Sequence, residues 1–279
     1  MLANTFCHIP RLGLKSEAKL WEAGFTTWRA LLDADDAPVR SPGLDWMKAH
    51  LAESTARLDA ADAAYFAQRL PGQQHWRLFP AFRHSTAYLD IETTGLTPPD
   101  DHITSIAIWD GRTVQTFVHG RNLDDFPAAI QDYKLLVTFN GRCFDVPFIE
   151  RAFGIRLEQP HMDLRFILKA VGITGGLKKC EKHLGLDRGV LEGVDGYYAV
   201  LLWKEFLETG DERFLQTLVA YNVEDVLNLE PLAVAAYNLH LDTTPFTDAP
   251  RLPEPLPQGN PIPAHPDTIA FIRRKYFGM

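Results

Sequence analysis

The chain has 279 residues, 46% hydrophobic and 23% charged, which is enough to bury a real core and is ordinary for a globular protein. Its three cysteines, Cys7, Cys143 and Cys180, are odd in number and far apart, so a disulfide framework and a Cys-x-x-Cys metal site are excluded, and any metal must be held by oxygen or histidine. The formal net charge of -8 sits in the middle, where residues 85–240 carry fourteen Lys and Arg against twenty-three Asp and Glu; this argues against capture of nucleic acid on a broad basic face and permits a cation site that neutralises its own carboxylates.

No run approaches the roughly eighteen apolar residues of a membrane span, and the opening MLANTFCHIPRLG has neither a signal core nor an Arg-rich transit character. A soluble, cytoplasmic protein with no membrane partner is the default expectation. From the N-terminus, Lys15 to Ala23 reads as a helix stopped by Gly24, and Thr26 or Thr27 can cap a second. Ser41-Pro42-Gly43 opens a longer helix in which Leu44, Met47, Leu51, Leu58, Phe66 and Leu70 recur at helical spacing before Pro71-Gly72 ends it. Residues 1–84 thus form an all-helical region.

From Thr86 the period changes to two. Residues 87–91, 103–109 and 113–118 read as strands, the last two joined by Asp110-Gly111, and 134–139 reads as another between helical stretches at 124–131 and 146–153. This alternation predicts an α/β fold, a mixed β-sheet flanked by helices, over residues 85–240. After a short strand near His161-Met162-Asp163 the chain is again helical at 164–171, 177–184, 197–208 and from Asp211 towards His240, with Pro231 expected to kink or divide the last helix. Residues 241–279 form a proline-rich tail, eight of the nineteen prolines falling within 245–266. It either packs across the body through Phe246, Leu252, Ile262, Ile269, Phe271 and Ile272 or stays loose, and it is a plausible dock for a protein partner.

Three acidic positions carry chemistry. Asp90 and Glu92 lie two apart at the end of the first strand and therefore point the same way, an arrangement that is costly inside a sheet unless a divalent cation joins them. Asp145 follows the Asn140-Gly141 turn and opens a helix, where capping is the structural alternative. Tyr221 and Asp225 are four apart on the late helix and share one face, whereas Glu224 is rotated about 100° away. Taken singly, each has an ordinary structural reading. Lys178, Lys179, Lys182 and His183 form the one compact basic cluster of the centre, either a solvated helix face or a track for a phosphate backbone. Asp163 reads as a cap or as a carboxylate supporting the site. His102, His119 and His161 lack partners at ligand spacing.

In this order the acidic pieces resemble the three motifs of the DEDD exonuclease superfamily, which has a ribonuclease H-like fold. Tyr221, and Ala220 where the His subtype would place its histidine, resemble the Tyr subtype. LDIETTGL (89–96), TFNGRCFDVPFI (138–149), HMDL (161–164), GGLKKCEKHLG (175–185) and YNVEDVLNL (221–229) are most similar to the YprB-type ribonuclease H-like family. The resemblance implies a 3′–5′ exonuclease acting on DNA or RNA with two divalent cations, Mg²⁺ or Mn²⁺, about 3.5–4 Å apart. Asp90 would bridge both ions, Glu92 and Asp225 would complete the nucleophile side, Asp145 the leaving-group side, and Tyr221 would hydrogen-bond the attacking water. The resemblance also places Thr93, Thr94, Gly95, Leu96, Asn140 and Phe144 around the terminal nucleotide, with core packing as the alternative for Leu96 and Phe144. Pro10 to Leu14 resembles a helix-hairpin-helix turn, with Arg11 where that motif usually has glycine. Two rival readings stay open, a binding or scaffold protein with a vestigial site and an endonuclease that cuts structured duplexes internally.

Overall fold

A computed structural model describes residues 1–37, 42–96 and 100–278. The N-terminal part holds α1 (Leu14–Glu22), α2 (Trp28–Leu32), α3 (Leu44–Asp59), α4 (Ala63–Ala67) and α5 (Phe79–Phe82). Of the expected caps, Thr27 is the one used, its hydroxyl accepting from the Ala30 amide. Ser41, read as part of the opening of the third helix, lies outside the described residues. That helix is not continuous to Leu70 as its spacing suggested. Ala61 takes a left-handed φ of 52° and Asp62 caps a new helix by accepting from the Tyr65 amide, so α3 and α4 meet at a corner that keeps Met47, Leu51 and Phe66 in one core.

The sheet comprises β1 (Thr86–Thr93), β2 (Ile103–Trp109), β3 (Val114–Val118), β4 (Leu135–Thr138) and β5 (His161–Asp163) in the order β3-β2-β1-β4-β5. The pairs β1–β2 and β2–β3 are antiparallel, β1–β4 and β4–β5 parallel, which makes it the expected mixed sheet. Helices α6 (Phe126–Ala129), α7 (Asp145–Phe153), α8 (Leu164–Ala170), α9 (Leu177–His183), α10 (Gly196–Thr209) and α11 (Glu212–Leu241) cover it. The expected helix at 124–131 is thus a single α-turn between two 3-10 turns. Leu89 and Ile91 of β1 pack with Ile106, Phe126 and Ile149 on one face. Tyr88 packs with the α11 residues Leu218, Val226 and Tyr237 on the other. Strand alternation then sends Asp90 and Glu92 to the α11 face.

The 30-residue helix α11 runs undivided through Pro231, against the expectation of a break. Burial on most of its faces, from Phe214 to Leu241, outweighs the roughly 3 kcal/mol cost of an interior proline. Beside it Glu230 accepts from Arg83 at 2.8 Å and from the Trp109 indole at 2.8 Å. Trp76 stacks on His240 with ring centroids 5.0 Å apart, and the buried pair Arg77–Glu17, at 2.8 Å, ties the first helix to the segment leading into β1. Arg11 takes a left-handed φ of 72°, the conformation glycine would supply in the hairpin it resembles, with its guanidinium over Trp46.

The proline-rich segment packs across the body. Phe246, Leu252 and Ile262 lie against the core, and Asn260 donates to the Ala220 carbonyl. It leads into a further helix, α12 (Pro266–Phe277), that composition had not suggested. Proline at its first position, Ile269 and Ile272 three apart and buried, and Gly278 after its end are an ordinary helix grammar in a proline-rich context. Among the described residues no helix is long and apolar enough to cross a membrane.

Candidate metal centre

One carboxylate oxygen from each of Asp90, Glu92 and Asp225 lies within 4.8 Å of the other two. Strand β1 supplies the first pair, and its register shifts between Glu92 and Thr93 where it leaves the sheet. Helix α11 supplies Asp225, one turn beyond Tyr221. Glu92 and Asp225 are buried and Asp90 is half-buried. Asp145 is the first residue of α7, and Phe144, not Asp145, occupies the cap position without a side-chain bond. The capping alternative therefore does not apply. Asp145 is buried at 4% exposure and close enough to repel Asp225.

Burial and mutual repulsion push the carboxyls of Asp90 and Glu92 well above the usual carboxylate range. Burial raises Asp145 to about 7, although backbone amides, its own and that of Ile91, pull the other way. Burial also raises Asp225 against the pull of Arg188. Tyr221, buried at 5% exposure among these acids, has its phenol pushed far up by burial and by Asp225, Glu92 and Asp90. It is a neutral O–H donor at physiological pH and not a base.

Two partners were invisible to the sequence reading. Asn222 donates to Asp90 Oδ2 at 2.8 Å and accepts from Ser105 Oγ at 2.9 Å. Arg188, from the irregular stretch between α9 and α10, places Nη1 2.5 Å from Asp225 Oδ1 and grips Glu181 through Nε at 2.6 Å and Nη2 at 2.5 Å. Lys178 lies 5.0 Å from the Tyr221 ring centre and donates to the Val194 carbonyl; burial lowers its pKa. Asn222 had a weak signal, being three residues before Asp225 on the same helix. Arg188 had none, since it belongs to no periodic element.

The cluster Asp90, Glu92, Asp145, Asp225 and Glu181 therefore sets five carboxylates against two cations, Arg188 and Lys178. Excess buried negative charge in an all-oxygen donor set is the chemistry that suits a hard divalent cation such as Mg²⁺ or Mn²⁺, so the residues fit one.

Around this centre, Thr93 Oγ1 donates to the Gly95 carbonyl at 2.6 Å, while Thr94 Oγ1 donates to Asp101 and accepts from the His102 amide at 3.0 Å. A side chain at Gly95 would collide with the Asp101 carboxylate, so glycine is needed there. Leu96 is 79% exposed and is no core residue, whereas Phe144 is half-buried with its ring 5.6 Å from that of Phe148. Asn140 takes a left-handed φ of 68° and accepts from Arg165 at 2.6 Å. Asp163 caps α8 and also receives the Asn140 and Arg142 amides at 2.8 and 3.0 Å, fixing the turn before Asp145. Lys182 pairs with Glu192 on the surface and Lys178 turns inward, so the basic cluster does not act as one patch. Glu224 faces the C-terminal segment, accepting from Asn260 at 3.1 Å.

A model of the RNase_H superfamily, RNase_H_2, matches residues 87–237. Among solved structures, the family B DNA polymerase from the hyperthermophilic archaeon Pyrobaculum calidifontis is similar at 16% identity and a TM-score of 0.43. The match covers 56% of this chain and 24% of the polymerase. No curated protein matches.

Proposed function

Because the chain belongs to the RNase H superfamily, we propose that it is a metal-dependent nuclease of the DEDD type, Tyr subtype and YprB-like, which removes nucleotides from the 3′ end of DNA or RNA. The observation that carries this reading is the meeting of Asp90, Glu92 and Asp225 within 4.8 Å under an excess of buried negative charge. Asp90, Glu92, Asp225 and the neighbouring Asp145 would hold two Mg²⁺ or Mn²⁺ ions. When bound, such ions acidify water and offset charge on the phosphorus.

The chain's own residues do the rest. Asn222 ties Oδ2 of Asp90 and so fixes the carboxylate that meets Glu92 and Asp225. The neutral Tyr221 donates a hydrogen bond to the attacking water and orients it; it removes no proton, since burial holds its phenol protonated. Thr93 and Thr94 spend their hydroxyls on the turn, so contact there falls to backbone amides and to the exposed Leu96, which is free to press on a terminal base. The second reading, a nucleic-acid-binding protein without turnover, is favoured by one observation, the Arg188 guanidinium on Asp225.

Degradation of 5′-labelled single-stranded and duplex DNA and RNA in Mn²⁺, Mg²⁺ or EDTA separates them. The expected result is a metal-dependent ladder shrinking from the 3′ end and absent in Asp90→Asn. Internal fragments would point to an endonuclease, and binding without cleavage in both proteins to the non-catalytic reading.

A further inference from the structure

A groove opens between α8 and residues 174–177, lined by Phe139, Asn140, Arg165, Phe166, Lys169 and Gly176 among others. At about 620 Å³ it is in the size range of sites that take a drug- or nucleotide-sized group. Lys169 lies four residues after Arg165 and three after Phe166, which puts all three on the exposed side of α8, while Leu164, Ile167 and Leu168 bury the other. Phe166 is 45% exposed, an apolar ring displayed to solvent between two cations. In a chain of net charge -8, no carboxylate among the described residues lines this groove. Arg165 is held on the Asn140 side-chain oxygen and, among the described residues, on no acid.

The groove adjoins the cleft that holds Tyr221 and Asp225, with which it shares two lining residues. Gly176 and Leu177 line both, and the other walls of that cleft are Lys178, Lys179, Arg188, Tyr221 and Asp225. At the junction a Cβ built on Gly176 meets nothing within 4 Å, whereas one on Gly175 would meet the Lys179 side chain, so the junction is open on the Gly176 side and bounded by Lys179. An exposed aromatic flanked by cations, in a channel without acids that leads to a phosphodiester-cleaving centre, matches the chemistry of an unpaired strand. A ring stacks on a base only when that base is not covered by its neighbour, and the cations meet the phosphates.

We propose that this groove is a single-strand nucleic-acid subsite, in which a base stacks on Phe166 and a phosphate is held by Arg165 and Lys169, so that the strand reaches the carboxylates past Gly176. The inference rests on the nuclease reading for its direction, but its test does not need cleavage. Fluorescence anisotropy with the full chain in EDTA would compare labelled single-stranded and blunt duplex oligonucleotides, each as DNA and as RNA. Wild type should bind the single strands more tightly than the duplexes, and the DNA and RNA arms identify which strand is preferred. Phe166→Ala should weaken single-strand binding about tenfold. Lys169→Met should weaken it and lower the slope of log K against log salt by about 1. Gly176→Glu, at an extended backbone position that tolerates any residue, should block the passage and weaken it as well. Each variant should keep the wild-type circular dichroism and Tm.

Duplex preference in the wild type, or variants that bind single strands as the wild type does, would overturn the groove. If such variants accompany a wild type that trims 3′ ends, the nuclease reading survives alone. If the variants lose binding while the wild type cleaves nothing with any metal, the groove stands and the nuclease reading falls.

Discussion

Replacing Arg188 with Met tests the electrostatics of the centre most directly. The guanidinium is 2% exposed and bridges Glu181, 1% exposed, to Asp225, 7% exposed. Its removal leaves the Glu181 carboxylate, among the described residues, with only the Asn228 amide at 3.0 Å and returns Asp225 to a cluster of like charges. Taking one partner from a buried pair costs about 3–5 kcal/mol, and this Arg serves two carboxylates, so the metal-free variant should fall at that end of the range. Divalent cation should repay the Asp225 share. In the wild type a cation that takes both oxygens of Asp225 must first displace Arg188, so the variant should gain more stability from Mn²⁺ than the wild type does. Adding Glu181→Gln should recover part of the loss, because the remaining uncompensated charge is gone. Urea unfolding in EDTA and in saturating Mn²⁺, analysed by linear extrapolation, gives all these quantities. A loss below about 1 kcal/mol, or equal Mn²⁺ gains for the two proteins, would refute the assignment of Arg188 as the resident counter-charge.

Burial raises Asp145 to about 7, and Asp90, Glu92 and Asp225 move the same way. These carboxyls therefore hold more protons in the metal-free folded state than in the unfolded chain, Asp145 from about pH 4 to about pH 7, so their share of the stability falls as pH rises through that window, while His8 and His161, which burial lowers to about 3 and about 4, contribute in the opposite sense. Calorimetric Tm values in EDTA isolate the Asp145 share: across this window Tm should fall more with rising pH, or rise less, in the wild type than in Asp145→Asn, and identical slopes in the two proteins contradict the reasoning. Tyr221→Phe removes the O–H donor but keeps the ring, so turnover should drop by about 10²–10³ while oligonucleotide affinity holds; unchanged single-turnover rates would exclude its role. Ile272, fully buried in α12, should cost about 2–5 kcal/mol when cut to Ala, and a chain ending at His240 should aggregate on gel filtration. A stable monomer of that length would show that α12 is dispensable.

The strands and the acidic residues were legible because their signals are local. Asp90 and Glu92 owe their common direction to the period of a single strand, and Tyr221 and Asp225 theirs to one helical turn. Even the left-handed Asn140 follows from its Asn-Gly step. What escaped was set by distant packing. The corner at Ala61 needs Phe66 to reach the same core as Met47 and Leu51, and the spacing of apolar residues on either side tolerates a straight helix equally well. Pro231 is held in α11 by burial that no local rule contains. α12 was hidden by the prolines before it, and Arg188 meets Asp225 from 37 residues earlier in the sequence, from a loop with no period at all.

The two bonds of Asn222 act as an indexing pin. Its amide must give to Asp90 on β1 and take from Ser105 on β2, and only one rotation of α11 about its axis allows both. A slip of one residue turns the helix by about 100°, which would lose both bonds and swing Tyr221 and Asp225 away from the strand acids together. Insertions or deletions within α11 ahead of Asn222 should therefore be far more damaging than those after Leu241. The centre is keyed by a neutral side chain that is bonded to two strands at once.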